Sequence, residues 1–461
     1  MGAQESATPI ASLGTVHFPI SCSRDAQAGF DRGLALLHHM TYPQAREEFA
    51  RVVGLEPGCA MAHWGVAMTL FQPLWPTRPG PEDIRRGRTE IRAARSLGAA
   101  TERERLFLEA AAGFFREPDS LDYRERVRGW HQGMERVHAA FPEDPEAATW
   151  LALATLAVAP AAGVTREHSD RAAELLLPVY RANPNHPGAM HYLIHADDVP
   201  GREHESPEIV RRYTSVAPDN PHALHMPTHI YTRLGDWERV VEGNLRAAAT
   251  ALEQPAGEGG RYVWDEFPHA IEYLVYAYLQ LGDTSAARVQ LRRLQATKSL
   301  EPTFKTAFHL ASTPARYALE RKAWREAMAL PPREPAWLDW DRFAWPEAVT
   351  WFARGLGAAH EGRRDRARAA AARLAELEAA AGRSGEPLFV RQIAVLRLGV
   401  EGWTAHAQGH ADSALALLRQ AAALEATTPK PAVTPAPTLP AQELLGDLLL
   451  EQGRPKEAVA A

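Results

Sequence analysis

Tyr231-Thr-Arg-Leu-Gly235-Asp236 and Tyr278-Leu-Gln-Leu-Gly282-Asp283 are two copies of one turn. In each, the glycine is suited to the left-handed residue that ends a helix. A small or branched residue follows five positions later, at Val240 and Ala287, where a second helix must approach the first closely. Gly409 with Ala414 and Gly453 with Ala458 repeat the pairing. Upstream, Ala45, Phe49 and Pro57 set a spacing that Ala172, Leu176 and Pro184 repeat, and Ser206, Val210 and Pro218 repeat it again 34 residues on. The proline cannot continue a helix and so closes each unit. These signals predict an all-α stack of helical hairpins, each burying its apolar face against its neighbours.

Such a stack suits the chain's length. At 461 residues it exceeds one ordinary compact core, whereas a repeat grows by adding units. Hydrophobic residues make up 46% and charged residues 23%, a globular composition rather than a disordered one. The net charge of −6 with scattered Lys and Arg shows no basic stripe and argues against nucleic acid. No apolar run is long enough to span a membrane. Met1 to Gly14 lacks the basic start and apolar stretch of a signal peptide, which places the protein in the cytoplasm, though a trimmed exported chain would look the same. Cys22 and Cys59 allow one disulfide but no disulfide framework.

The predicted organisation is an N-terminal extension (1–25), a solenoid (26–426), a Pro/Thr-rich linker or strap (427–440) and a C-terminal hairpin (441–461). The repeat pattern is poor in 71–146 and 331–346, so irregular helices and loops are expected there. Pro73–Pro81 reads as a Pro-rich connection and Gln254–Arg261 as a Gly-rich loop.

The 19 histidines are unevenly placed. His191 and His195 are four apart, as are His225 and His229, so each pair shares a helix face. The two pairs are separated by 34 residues, one repeat length, and His222 lies three before His225. Moving from the Gly235 turn to the Gly282 turn, 47 positions, maps His222 onto His269, His225 onto Glu272 and His229 onto Tyr276. His-x3-His is a ligand spacing used on helices in zinc enzymes. Imidazole equally suits copper, iron and nickel, so the spacing does not name the ion. A single histidine on a helix face is more often a packed, hydrogen-bonded residue; two pairs in register favour a site. Pro227 complicates the second pair, since it either kinks the helix or starts it and leaves His225 outside.

The turns and the 34-residue spacing resemble the tetratricopeptide family, which implies an α-solenoid whose first helices line a concave groove. A closer resemblance is to bacterial tetratricopeptide proteins carrying His-x3-His and His-Met-Pro-x-His motifs. It rests on Leu36-Leu-His38-His-Met-Thr-Tyr42, Cys59-Ala-Met-Ala-His63-Trp-Gly-Val-Ala-Met-Thr69, His186-Pro-Gly-Ala-Met-His191-Tyr-Leu-Ile-His195-Ala, His222-Ala-Leu-His225-Met-Pro-Thr-His229-Ile-Tyr and His269-Ala-Ile-Glu272-Tyr-Leu-Val-Tyr276-Ala-Tyr. It spans about Leu13 to Leu356 and brings no reaction with it; Gln72 stands where relatives are expected to carry His.

Two functions remain open. In one, His191, His195, His225, His229 and His269 hold a transition metal (copper, zinc or iron), with His222, Tyr192 and Asp198 in the groove around it. Glu272 or Asp198 would then serve as acid/base, and Tyr276 or Tyr192 would contact substrate. In the other, the solenoid is a peptide- or protein-binding scaffold without catalysis; the expected occupant of the groove is a small molecule or peptide. Asp198 is either a carboxylate that orients an imidazole or a helix-terminal residue of the Pro200-Gly201 turn. No P-loop, Gly-x-Ser-x-Gly elbow or Cys-x2-Cys pair is present. Oligomeric state is not legible from the sequence.

Overall fold

The computed structural model describes residues 11–75, 78–117, 121–162, 165–257 and 260–461. Met1 to Ile10, and parts of the Pro73–Pro81 and Gln254–Arg261 connections, lie outside the described residues. The chain is an all-α solenoid of tetratricopeptide-type hairpins, and it divides into two compact units, Met1–Glu266 and Phe267–Ala461.

The first unit runs α1 (Arg24–His38), α2 (Tyr42–Leu55), α3 (Ala60–Met68), α4 (Pro81–Leu97), α5 (Glu102–Phe114), α6 (Tyr123–Ala140), α7 (Pro145–Ala162), α8 (Thr165–Ala182), α9 (Pro187–Asp197), α10 (Pro207–Val216), α11 (Pro221–His225), α12 (Pro227–Leu234) and α13 (Trp237–Glu253). A two-residue ladder, Pro255–Ala256 with Tyr262–Val263, follows. Helices adjacent in sequence pack on one another, α1 on α2, α5 on α6 and α7 on α8.

The hairpin signals have physical counterparts. Gly235 and Gly282 are left-handed, with φ of 69° and 75°. Asp236 and Asp283 then cap the next helix through the main-chain N–H of Arg239 and Ala286. Phe49 fills a notch made by two glycines: a Cβ on Gly65 would lie 2.3 Å from its ring, and one on Gly33 2.9 Å. The Phe of the spacing therefore needs small residues on two neighbouring helices. Around it Phe18, Phe30, Trp64 and Phe107 form an aromatic core with centroids 4.8–6.1 Å apart. The Cys22–Cys59 disulfide ties the approach to α1 to the start of α3.

The irregularity expected for 71–146 is confined to its connections. The helices α4, α5 and α6 are full length, and α5 opens on a Thr101/Glu104 capping box. The repeat spacing is missing because close approach is achieved differently. The backbones of α5 and α6 meet at Gly113 and Gly129, where an added Cβ would lie 2.5 Å from a carbonyl oxygen.

α14 (Glu266–Gln280) leads into the second unit, which continues with α15 (Thr284–Ala296), α16 (Phe304–Leu319), α17 (Trp324–Ala329), α18 (Ala344–His360), α19 (Arg364–Arg383), α20 (Pro387–Ala407), α21 (Ala411–Ala426), α22 (Ala441–Glu451) and α23 (Pro455–Ala460). Helices α18 to α21 pack in succession. Residues 427–440 are non-helical and partly buried, and Arg316 donates to the carbonyls of Ala436 and Pro437. In the 331–346 segment Trp340 and Trp345 are buried and Trp337 is exposed.

Candidate metal centre

His191 and His195 project from one face of α9. His222 and His225 lie on α11 and His229 on α12, and the two helices are separated at Met226. Met226 keeps helical dihedrals, φ −52° and ψ −42°, so Pro227 interrupts the hydrogen-bond ladder without turning the chain away. The helix is kinked and keeps His225 within it.

The five imidazoles form a closed circuit. Centroids are 4.9 Å apart for His191–His195, 6.1 Å for His195–His229, 4.8 Å for His229–His225, 6.3 Å for His225–His222 and 4.8 Å for His222–His191. One ligand atom from each of His191, His195 and His222 lies within 4.8 Å of the other two. His222, placed by sequence among the surrounding groove residues, thus joins the α9 pair. The repeat register hid this because it equates His191 with His225 and His195 with His229, not with His222.

Three of these rings donate Nδ1–H to an oxygen. His191 Nδ1 donates to the His38 carbonyl at 2.6 Å. His225 Nδ1 donates to Asn244 Oδ1 at 2.7 Å, and the Asn244 amide is oriented by its own donation to the Val240 carbonyl. His229 Nδ1 donates to Asp198 Oδ2 at 2.9 Å. His222 Nδ1 lies 3.1 Å from Glu266 Oε1 without forming a hydrogen bond, so this contact does not set the His222 tautomer. A proton on Nδ1 leaves the lone pair of a neutral imidazole on Nε2. The Nε2 atoms face each other in pairs, 3.0 Å apart for His191–His222 and 2.9 Å for His225–His229. Where both rings are neutral and carry their proton on Nδ1, as the contacts of His225 and His229 allow, the facing lone pairs would repel unless a cation lay between them; the His191–His222 contact is equally an N–H···N hydrogen bond. Two nitrogens bound at ~2.0–2.1 Å to one ion would be roughly 2.9–3.4 Å apart for bond angles from 90° to tetrahedral, so the observed spacing suits a shared ion.

Burial reinforces this. His191, His222 and His225 are fully buried and His229 nearly so. Desolvation, aided by neighbouring imidazoles, pushes the pKa of His191 and His225 well below the ordinary histidine value. These rings therefore stay neutral and available as ligands. The same burial corrects the expected open wall: α1, α7, α8, α10 and α12 all pack on α9. Trp75 lies edge-on to His222 and Tyr213 stacks on His191.

The other expected site residues have these surroundings. Tyr192 is buried and its hydroxyl donates to His38 Nδ1, so it is not presented to a substrate. Asp198 caps α9 and also orients His229; its other oxygen pairs with Arg233. Both readings of Asp198 therefore hold, with His229 in the place expected for His195. His269, Glu272 and Tyr276 belong to the second unit. There His269 Nδ1 donates to His309 Nε2 at 2.8 Å and His309 Nδ1 donates to Glu272 at 2.5 Å. Glu272 also accepts from Ser312 and Arg316 and is fully buried. Burial opposes its ionisation, but His309 leads the groups that bring its pKa below the usual carboxylate value. A carboxylate with three donors is built to orient His309, which is not the environment of a general base. The Arg316 guanidinium sits 4.5 Å over the Tyr276 ring.

Sequence reasoning missed the partners that set the tautomers. His38 offers only its main-chain oxygen, and nothing in the local pattern of Asn244 marks it as a histidine partner.

The fold and its turns define an all-α protein built of helical hairpins. No family model matches the chain, and no curated protein matches it. Among solved structures it is similar to the yeast Tom70, at 9% identity over 91% of this chain and 88% of that one, with a TM-score of 0.38. Another similar structure is a human IFIT1 dimer with PPP-AAAA, at 13% identity over 87% of this chain and 73% of that one, with a TM-score of 0.35.

Proposed function

We propose that the first unit is a transition-metal-binding scaffold whose ion is held by His191, His195 and His222. The observation that carries this is that one ligand nitrogen from each of His191, His195 and His222 lies within 4.8 Å of the other two, with His191 Nε2 opposite an Nδ1 that donates to a main-chain oxygen. Metal-bound histidines almost always donate their other N–H in this way, which fixes tautomer and ring orientation. An all-imidazole set suits copper, zinc, iron or nickel, and intrinsic affinity peaks at copper(II). Three protein ligands leave a position for a small molecule, the arrangement of a catalytic site. The alternative, a peptide- or protein-binding scaffold without catalysis, would use surfaces other than the buried rings of His191, His222, His225 and His229. The second unit contributes a hydrogen-bonded relay, His269–His309–Glu272, as a further candidate for activity.

The Cys22–Cys59 disulfide favours an oxidising compartment over the cytoplasm. Among the described residues no helix is long and apolar enough to cross a membrane.

The test is elemental analysis of protein purified without a metal-affinity column, before and after addition of copper(II) or zinc(II). We expect at least one bound ion per chain, and its loss in His191→Ala and His222→Ala at unchanged helical circular dichroism. Absence of metal in the purified protein, together with no uptake of either ion, would return the histidines to the role of core residues.

A further inference from the structure

We infer that the five-histidine circuit is a dinuclear site, with a second ion held between His225 and His229 beside the one held by His191, His195 and His222. The inference rests on the reading above and extends it to a second centre with its own observations.

The second pair is built from different residues, and both of its Nδ1 atoms are hydrogen-bonded to oxygens. His225 and His229 present Nε2 atoms 2.9 Å apart. Their Nδ1 protons are committed to Asn244 and Asp198, respectively. The Thr228 hydroxyl, 3.5 Å from His225 Nδ1, already donates to the His225 carbonyl, so it does not reverse that tautomer. None of these partners contributes to the first group. Asn244 comes from α13, and Asp198 is the residue that ends α9. The kink at Pro227 matters to this pair. His229 N–H bonds to Met226 O, three residues back, which tightens the turn that aims the two rings at each other.

A single ion cannot serve both pairs. The two groups meet only across the longer sides of the circuit, 6.1 Å for His195–His229 and 6.3 Å for His222–His225 between centroids. The close nitrogen contacts lie on opposite sides. Two separate Nε2 contacts offer places for two cations, and ions held on a circuit whose neighbouring rings are at most 6.3 Å apart are near enough to interact magnetically. With two imidazoles from this unit against three for the first, the second ion is expected to be the more readily removed.

The test is titration of metal-free protein with copper(II), read by elemental analysis after desalting and by electron paramagnetic resonance. Wild type should retain two equivalents, with signal intensity below the copper content because the two spins couple. His225→Ala/His229→Ala should retain one equivalent with full intensity. One equivalent in wild type, unchanged in the double variant, would overturn the second ion and leave the first standing; none at all would overturn both. Two equivalents retained in the double variant would place the second ion elsewhere and also overturn the inference. Should the double variant lose its helical signal, Asn244→Leu serves instead. It keeps both ligands, removes the acceptor that sets the His225 tautomer, and should lower retention of the second copper about tenfold or more. Full intensity from wild type at two equivalents would overturn the shared circuit.

Discussion

His38, Glu146 and His186 form one buried polar cluster of the first unit, and His191, His195, His222, His225 and His229 form another. The two touch, since the His38 carbonyl accepts from His191 Nδ1. In the first cluster every contact has a donor and an acceptor. His38 Nε2 donates to Glu146 at 3.0 Å and His186 Nε2 at 3.1 Å; Tyr192 donates to His38 Nδ1, and the Ala189 N–H to His186 Nδ1. Burial would raise the Glu146 pKa, but His38 and His186 hold it well below the usual carboxylate range. The pKa of His38 is lowered by burial, an effect Glu146 opposes. An ionised carboxylate between two imidazole N–H donors is complete without a metal. The second cluster is nearly as buried, with His195 partly exposed, yet the Nδ1 protons of His191, His225 and His229 point outward and leave their Nε2 lone pairs inward. What separates a structural histidine from a ligand here is the direction of its Nδ1 proton, which depends on the oxygen beside it.

The strongest way to break that comparison is Glu146→Ala. It leaves two buried imidazoles without their acceptor, and unfolding free energy should fall by about 3–5 kcal/mol. Denaturant melts with and without added copper(II) would measure it, and the metal should not restore the loss. Asn244→Leu should do the reverse: a smaller loss of stability, with affinity for the ion at His225 and His229 down roughly 10–100-fold. If the two variants exchanged these outcomes, the assignment of one cluster as structural and the other as ligand would be inverted.

Cys22→Ala/Cys59→Ala sharpens the comparison by lowering stability with neither cluster touched. The bridge closes a loop with a sequence separation of 37. Its loss should cost about 2–4 kcal/mol, read as a lower denaturation midpoint for the first unit. Metal content should be unchanged in the folded protein. A fall in metal content at low denaturant would show that α1 needs the bridge to hold the His38 carbonyl in place.

The hairpins were legible because their turns are local. Gly235 and Gly282 must be left-handed wherever the chain goes, and Phe49 asks for small neighbours whichever helix supplies them. The α5–α6 pair escaped notice because Gly113 and Gly129 do by backbone contact what the repeat spacing does by side-chain size. The concentration of histidines on α9, α11 and α12 was equally visible. Which ring faces which was not, because the deciding partners are distant: His38 lies 153 positions from His191. The repeat register also assumed that neighbouring first helices present equivalent faces, and Pro227 divides the second of them. Glu272 was read from that register as an acid/base, whereas Arg316 and His309, both outside the motif, commit its oxygens.

The smallest effect concerns a third kind of histidine. In the second unit the His360 ring stacks on Trp324, with centroids 3.8 Å apart and planes 6° off parallel, and packs on Trp403 at 4.2 Å. It faces neither a carboxylate cluster nor another imidazole lone pair, so aromatic packing governs it. Burial, the largest influence, lowers its pKa from 6.5 to about 4, against the pull of Glu451 and Asp447. Below pH 6.5 the unfolded chain takes up a proton that the folded ring refuses, so stability is full above that value. It falls as pH drops toward 4, where the folded ring is protonated as well. The ring is partly exposed, so solvent screening reduces the contribution to on the order of 1 kcal/mol at pH 5. His360→Phe keeps the stack and removes the proton. Unfolding of the second unit in this variant should lose less stability between pH 7 and pH 5 than in wild type, by about that amount. Equal pH dependence in the two proteins would mean that the stack tolerates the imidazolium, through an attraction between the cation and the indole faces of Trp324 and Trp403.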